Sequence, residues 1–270
     1  MTENTAHFSN IFPPSPSPDS QPHLDTSWGY FMGYRAAPGL GSTLWHMTAS
    51  DYTLLRPDLE TLRPIFNAAL TSDCLDHLGY RNQVLGSDIE MISGEGVMMG
   101  YAFPVRLEPV DAAPEVPYVG LLKALDAIGK DDVFIKPSAR RHKSALWGEL
   151  LSNACKFKGA AGALTDAPVR DVARTRALGF NVFGTGTWPI DINSRYEVVA
   201  HNVPGEIDGV IINPGDLIVG DVDGVVVVPN ALIPQVIAFV EEKNSGENLF
   251  RKAVKEGMSP SEAFAKFGVL

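Results

Sequence analysis

The spacing of apolar residues changes period along the chain, and each change marks an element. Leu59, Leu62, Ile65, Phe66 and Leu70 recur at three- and four-residue steps and predict a helix over 56–70, kinked at Pro64. Ser72 reads as the N-cap of a second helix that Gly79 stops. Residues 96–106 (GVMMGYAFPVR) predict a strand, 118–128 a helix ended by Gly129, and 132–136 (DVFIK) a short buried strand. A helix over 146–158 follows, with Leu146, Leu150, Leu151, Ala154 and Cys155 on its inner side. A strand over 160–165, a helix over 171–178 closed by Gly179 and a strand over 181–183 complete this stretch. Such alternation makes an α/β chain with some parallel pairing.

Farther on the pattern turns to β. Segments 196–203, 209–212, 217–220 and 224–228 are separated by Pro-Gly-Asp and Asp-Gly turns, and Asp223-Gly224 is a two-residue hairpin signal. Residues 230–256 return to helical spacing. The last helix has a full start signal, Ser259 at the cap, Pro260 first and Glu262 three residues after the cap, and Gly268 stops it. The chain has no internal repeat.

Residues 1–55 stand apart from this pattern. The first 25 are polar and carry Pro13, Pro14, Pro16 and Pro18, which forbid a regular helix; they read as a flexible arm. Trp28, Tyr30, Phe31, Tyr34 and Trp45 make the following stretch too apolar for a free tail, so it is expected to lie on its own domain or on a neighbouring subunit. The remaining residues, 56–270, suffice for one large domain. Twenty-two basic against 32 acidic residues give a net charge of −10, which disfavours nucleic acid and anionic membranes as partners. No apolar run approaches the roughly 18 residues of a membrane span. The N-terminus lacks the plan of a signal peptide, and Cys74 and Cys155 form no disulfide framework, so a reduced, cytoplasmic setting is expected.

Several chemical patterns dissolve on inspection. Gly94, Gly96 and Gly100 approach a dinucleotide fingerprint, but a strand rather than a helix follows them. Asp221-Val-Asp223-Gly224 resembles the start of a calcium loop, yet Val225 occupies the next ligand position, which favours a hairpin. The six histidines show no metal-binding spacing. Lys136, Arg140, Arg141, His142 and Lys143 read as a solvated loop or a site for one small anion. A Schiff-base aldolase needs a desolvated lysine, and Lys156 and Lys158, late on an amphipathic helix, are expected to face solvent.

One constellation remains. Gly148-Glu149-Leu150-Leu151 lies at or near a helix start, and Arg170-Asp171 follows a strand of small residues, where open α/β sheets bind ligands. An arginine fork suits a carboxylate, an aspartate suits a hard divalent cation, and the free N–H groups of a helix start suit an anion. Together they describe a cleft for a metal and a small carboxylic acid. The competing reading makes Arg170 and Asp171 ordinary surface charges at the start of the next helix.

Residues 147–183 (WGELLSNACKFKGAAGALTDAPVRDVARTRALGFNVF) and 214–229 (PGDLIVGDVDGVVVVP) closely resemble the RraA-like family, and the resemblance extends over about 56–270. That family includes 4-hydroxy-4-methyl-2-oxoglutarate aldolases, which also decarboxylate oxaloacetate, and regulators of a bacterial ribonuclease. The resemblance implies a layered, swivelling-type α/β domain with a mixed sheet, helices outside and C-terminal helices. It implies assembly as a homotrimer or a pair of trimers, with sites between subunits. By the same resemblance, Arg170 binds the pyruvyl carboxylate and keto oxygen, and Asp171 ligates Mg²⁺ or Mn²⁺. Glu149 holds a metal-bound water, and the N–H groups of Leu150 and Leu151 complete the pyruvyl site. Glu247, with Glu242 in reserve, matches a glutamate contributed by a neighbouring subunit.

Three departures from the family pattern concern the rest of the substrate. Arg174 stands where the aldolases carry an acidic residue, Asp111-Ala112 replaces an Asp-Asn pair, and SARRHK replaces a glycine-rich stretch, so that Arg140 or Arg141 adds positive charge. The expectation is a divalent-metal-dependent carbon–carbon lyase acting on a 2-oxo acid through a pyruvate enolate. The rivals are a protein-binding regulator of the ribonuclease-inhibitor kind and a hydrolase or isomerase on the same site.

Overall fold

A 12-residue strand, β2 (Met98–Pro109), organises the molecule, and β1 (Glu90–Ser93) precedes it. The computed structural model describes residues 56–112, 114–138 and 144–268. The first eight residues of β2 are all buried, because both faces of the sheet are covered. Met98 and Ala102 enter one apolar cluster, Met99 and Tyr101 a second, and Phe103 and Val105 a third. On one side β2 pairs in parallel with β3 (Asp132–Lys136), β3 with β4 (Gly162–Thr165), and β4 with β5 (Asn181–Gly184). β1 closes that edge antiparallel to β5. The last residues of β2, Val105 to Pro109, pair antiparallel with β6 (Tyr196–His201) across an irregularity at Arg106/Leu107. β7 (Gly205–Ile207) and β8 (Val210–Ile212) form a separate hairpin. On the other side of β2 lie β9 (Leu217–Asp221) and β10 (Gly224–Val228), both antiparallel to their neighbours.

The outcome is a mixed, curled α/β sheet with helices outside and two C-terminal helices. Parallel neighbours need crossovers, and helices supply them. α2 (Val119–Ala127) links β2 to β3, α3 (Glu149–Phe157) links β3 to β4, and α4 (Val172–Leu178) links β4 to β5. α1 (Ala68–His77) and α5 (Ile233–Lys255) bury Leu70, Leu75, Val236 and Val240 with Leu217, Val226 and Val228 of β9 and β10. No helix among the described residues is long and apolar enough to cross a membrane. Both cysteines are buried and free.

Four expectations change. The stretch 56–70 is not one helix: Pro64 allows only a 3₁₀ turn at Arg63–Ile65, and Leu59, Leu62 and Phe66 are buried from irregular backbone. The following helix starts earlier than Ser72, because Asn67 caps it by accepting from the N–H of Leu70. The β9–β10 register pairs Asp221 with Gly224, which moves the two loop residues back to Val222 and Asp223. The Asp221 carboxylate accepts from the N–H groups of Ala68 and Asp223, so this segment is a braced hairpin. Leu150 does not lie on the inner side of α3; it is 74% exposed, while Ser152 and Cys155 are buried.

The final helix, α6 (Pro260–Phe267), forms with both halves of the capping box, Ser259 to the N–H of Glu262 and the Glu262 carboxylate back to Ser259. It buries Ala263 and packs on α5. Ser259→Ala is expected to cost about 1 kcal/mol, read as a lower urea midpoint with an unchanged slope.

Candidate active site

The site begins with Trp147. Its ring is buried 5.2 Å from that of Phe134, and its indole N–H donates to Ser152 Oγ, whose hydroxyl donates to the Gly148 carbonyl. The first turn of α3 is thereby held from below. Gly148 is the N-cap and offers no side chain to the helix start. The N–H groups of Glu149, Leu150 and Leu151 consequently have no capping side chain, the arrangement that attracts an anion. A Cβ on Gly148 would come within 2.9 Å of Asp171 Oδ2 and 3.1 Å of Arg170 Cγ. Glycine is therefore what lets the two segments meet.

The second segment is tied to the first through the backbone. Leu146 N–H donates to the Pro168 carbonyl, and Arg170 N–H to that of Trp147. Asp171 then adopts the left-handed conformation, φ 56°, as the N-cap of α4, yet its side chain makes no cap hydrogen bond. That geometry is uncommon for a residue other than glycine, although aspartate tolerates it better than most. Asp171 thus stands at the start of the next helix, as the competing reading has it, with its carboxylate exposed and making no capping bond. Arg170 is half-buried. Its Nε lies 3.6 Å from Asp171 Oδ2 and one terminal nitrogen 3.3 Å from Asp191 Oδ1. Val169, Arg170, Asp171, Thr187, Trp188 and Pro189 line an open cleft of about 310 Å³.

The remaining candidates are distributed as follows. Glu149 is half-buried at the start of α3, and one of its carboxylate oxygens accepts from the Asn153 amide. Leu150 is exposed and Leu151 half-buried beside it. Glu247 is paired with Arg251 of its own helix α5 at 2.5 Å and does not line this cleft; Glu242 is exposed on the same helix. Arg140 and Arg141 lie outside the described residues. Arg174 is exposed on α4, one turn after Asp171.

Asp191, Thr187, Trp188 and Tyr118 are additions the sequence reading did not single out. Lys136 is a correction. It is not part of a solvated loop: it ends β3, is fully buried, and donates to the Leu146 carbonyl at 2.7 Å. Burial pushes its amine down to about 7, with Asp191 opposing that shift. A desolvated lysine therefore exists, but it is held by a carbonyl and does not line the cleft. Lys156 and Lys158 are solvent-exposed, as their positions predict.

Asp171 and Glu149 are the carboxylates at the starts of α4 and α3. Among the described residues no group of three or more His, Cys, Asp or Glu is placed to hold a metal. Neither Asp171 nor Glu149 has a histidine or cysteine within three residues in sequence, and a pair of carboxylates completed by water is a chemistry that fits Mg²⁺ better than zinc.

A family model described as Aldolase/RraA, of the RraA-like family, matches residues 68–227. The chain is 30% identical over 193 residues to a protein of Halalkalibacterium halodurans named "Putative 4-hydroxy-4-methyl-2-oxoglutarate aldolase", covering 72% of this chain and 87% of that one. It is 26% identical over 197 residues to protein DlpA of Legionella pneumophila, covering 73% of this chain and 32% of DlpA, so it spans about a third of that relative. Its fold is similar to that of Streptomyces coelicolor RraAS2, described as an unusual member of the RNase ES inhibitor RraA family, with a TM-score of 0.62 and 27% identity. That superposition covers 73% of this chain and 98% of RraAS2.

Proposed function

The chain belongs to the RraA-like family, and on that premise we propose that it is a divalent-metal-dependent carbon–carbon lyase acting on a 2-oxo acid. The observation that carries the reading is the uncapped Asp171 carboxylate beside the Arg170 guanidinium, facing a helix start without a capping side chain. Residues 56–270 form the catalytic unit in this reading, and residues 1–55 are an extension.

Arg170 takes the carboxylate and keto oxygen of the pyruvyl group in its planar fork. The N–H groups of Leu150 and Leu151 hold the same anion from the other side. Asp171, with Glu149 through water, would hold Mg²⁺ or Mn²⁺, which supplies Lewis-acid polarisation of the keto oxygen. The C4 hydroxyl gives its proton to a water near Glu149, its oxygen electron pair forms the carbonyl of the departing fragment, and the bond between C3 and C4 breaks; in oxaloacetate the C4 carboxylate leaves as CO₂ instead. The C3–C4 electron pair passes into the enolate of pyruvate, whose developing charge Arg170 stabilises in place. The same water returns a proton to C3, which gives pyruvate. A homotrimer or pair of trimers would allow Glu247 of another copy to approach the cleft.

Oxaloacetate yields the same enolate by losing CO₂, so pyruvate release from oxaloacetate or from 4-hydroxy-2-oxo acids is expected with Mg²⁺ and is lost with a chelator. Oxalate, which resembles the enolate, is expected to bind more tightly than pyruvate. Absence of pyruvate above the metal-only background, together with no thermal shift from oxalate, removes the lyase reading. The similarity to RraAS2 then favours a protein-binding regulator.

A further inference from the structure

Arg170 is bounded on its far side by groups that the reaction does not touch. Asp191 Oδ1 lies 3.3 Å from the guanidinium, and Oδ2 accepts a 2.6 Å hydrogen bond from the Tyr118 hydroxyl. The backbone N–H of Ile192 donates to Oδ1 at 2.7 Å. Burial by itself would raise the Asp191 carboxyl; the bonds from Tyr118 and from the Ile192 and Asn193 backbone, with the Arg170 charge, outweigh it and hold the group below its ordinary value. Asp191 is thus a fixed anion facing a fork that has to be aimed at a carboxylate.

Tyr118 is held as firmly. It is the N-cap of α2, its φ is 65°, and a bulky aromatic side chain rarely adopts that region. Two features keep it there. Its carbonyl accepts from the Leu122 N–H at 2.9 Å. The start of α2 also rests on the backbone of β6 so closely that a Cβ on Gly120 would come within 1.7 Å of the Val198 carbonyl oxygen. An unusual backbone held in place by its surroundings, ending in one short hydrogen bond to the partner of the substrate-facing arginine, is the pattern of stored local strain serving a site.

We propose that Tyr118 and Asp191 are positioning residues that aim the Arg170 guanidinium at the carboxylate of the bound 2-oxo acid. The inference rests on the lyase reading for the identity of that acid, but the restraint on Arg170 is a separate quantity. Asp191 also limits what Arg170 can do. With one terminal nitrogen engaged by Asp191, the edge left for the ligand is fixed, and a ligand that binds through that edge meets an arginine already oriented. Lys136, fully buried, feels both the Asp191 carboxylate and the Arg170 guanidinium, the first favouring and the second opposing its charged form.

The test uses the full chain with Mg²⁺, and compares wild type with Tyr118→Phe and Asp191→Asn. The Arg170 Nε–Hε signal in a ¹⁵N spectrum, assigned by its loss in Arg170→Lys, reports the restraint, and oxalate titration reports the ligand. Both variants are expected to move or broaden that signal. They are expected to weaken oxalate by roughly three- to tenfold for Tyr118→Phe and roughly tenfold or more for Asp191→Asn, with the melting temperature nearly unchanged. A signal unchanged in both variants, or oxalate affinity falling only in step with a general loss of stability, overturns the proposal. If wild type fails to bind oxalate while its Arg170 signal is restrained and both variants release it, the lyase reading falls and the positioning role stands.

Discussion

Replacing Asp171 is expected to abolish metal binding and turnover together, and replacing Arg170 by lysine is expected to lower the rate by roughly a hundredfold or more. The arginine change preserves charge and removes the planar fork, so its effect separates geometry from electrostatics. The aspartate change needs care with the backbone. Asp171 is in the left-handed region, φ 56°, where alanine is strained and asparagine is tolerated. Asp171→Asn is therefore the informative variant. The bonds that start α4 from this residue, its carbonyl to the N–H groups of Arg174 and Thr175, are backbone bonds and survive the change. Because the side chain caps nothing, stability should be retained while Mg²⁺ affinity, measured by calorimetry, is lost. Pyruvate release coupled to lactate dehydrogenase reads the rate. An Asp171→Asn protein with wild-type turnover would falsify the metal role assigned to this residue, whereas Arg170→Lys with a wild-type rate would return Arg170 to the surface.

What the sequence revealed and what it concealed divide along physical lines. The Ser259 capping box, the helix closed by Gly179 and the strands 132–136 and 224–228 depend on neighbours a few residues away, and each forms as its local pattern predicts. The Arg170–Asp171 pair was visible for the same reason, since its two members are adjacent. Tyr118 and Asp191 are 73 positions apart, and their meeting depends on α2 resting on β6, which no local spacing encodes. The apolar stripe over 59–70 predicts one helix, and the structure instead buries Leu59, Leu62, Phe66 and Leu70 without it, because Pro64 limits the backbone while hydrophobic burial does not require helical geometry. Lys136 misled because charge near other charges suggests solvent. Here the strand register overrides composition: all five residues of β3 are buried, with Asp132 answered by Arg56 at 2.7 Å and Lys136 by the Leu146 carbonyl.

The buried Lys136 amine should make stability rise with pH just above neutrality. In the unfolded chain this group titrates near its ordinary 10.5, and in the folded chain burial pushes it down to about 7. Between those values the unfolded state holds a proton that the folded state lacks, so raising the pH favours folding. For one proton the slope approaches about 1.4 kcal/mol per pH unit. The two thiols act in the opposite direction. Burial pushes Cys74 and Cys155 up from 9.0 to about 12, so above pH 9 the unfolded state releases protons that the folded state keeps, and stability falls. The two effects together predict a urea midpoint that climbs from pH 7 to about 8.5 and turns over above 9. Lys136→Met removes the first effect and retains the second, so its midpoint should be level over the lower interval and still decline above 9. Loss of the hydrogen bond to Leu146 shifts that whole curve without giving it a slope, because a carbonyl does not titrate in this range. A wild-type midpoint that stays level from pH 7 to 8.5 would mean that the amine remains charged in the folded protein. Asp191 would then stabilise the ammonium beyond the cost of burying it, and the cleft would carry two permanent positive charges behind its carboxylate site.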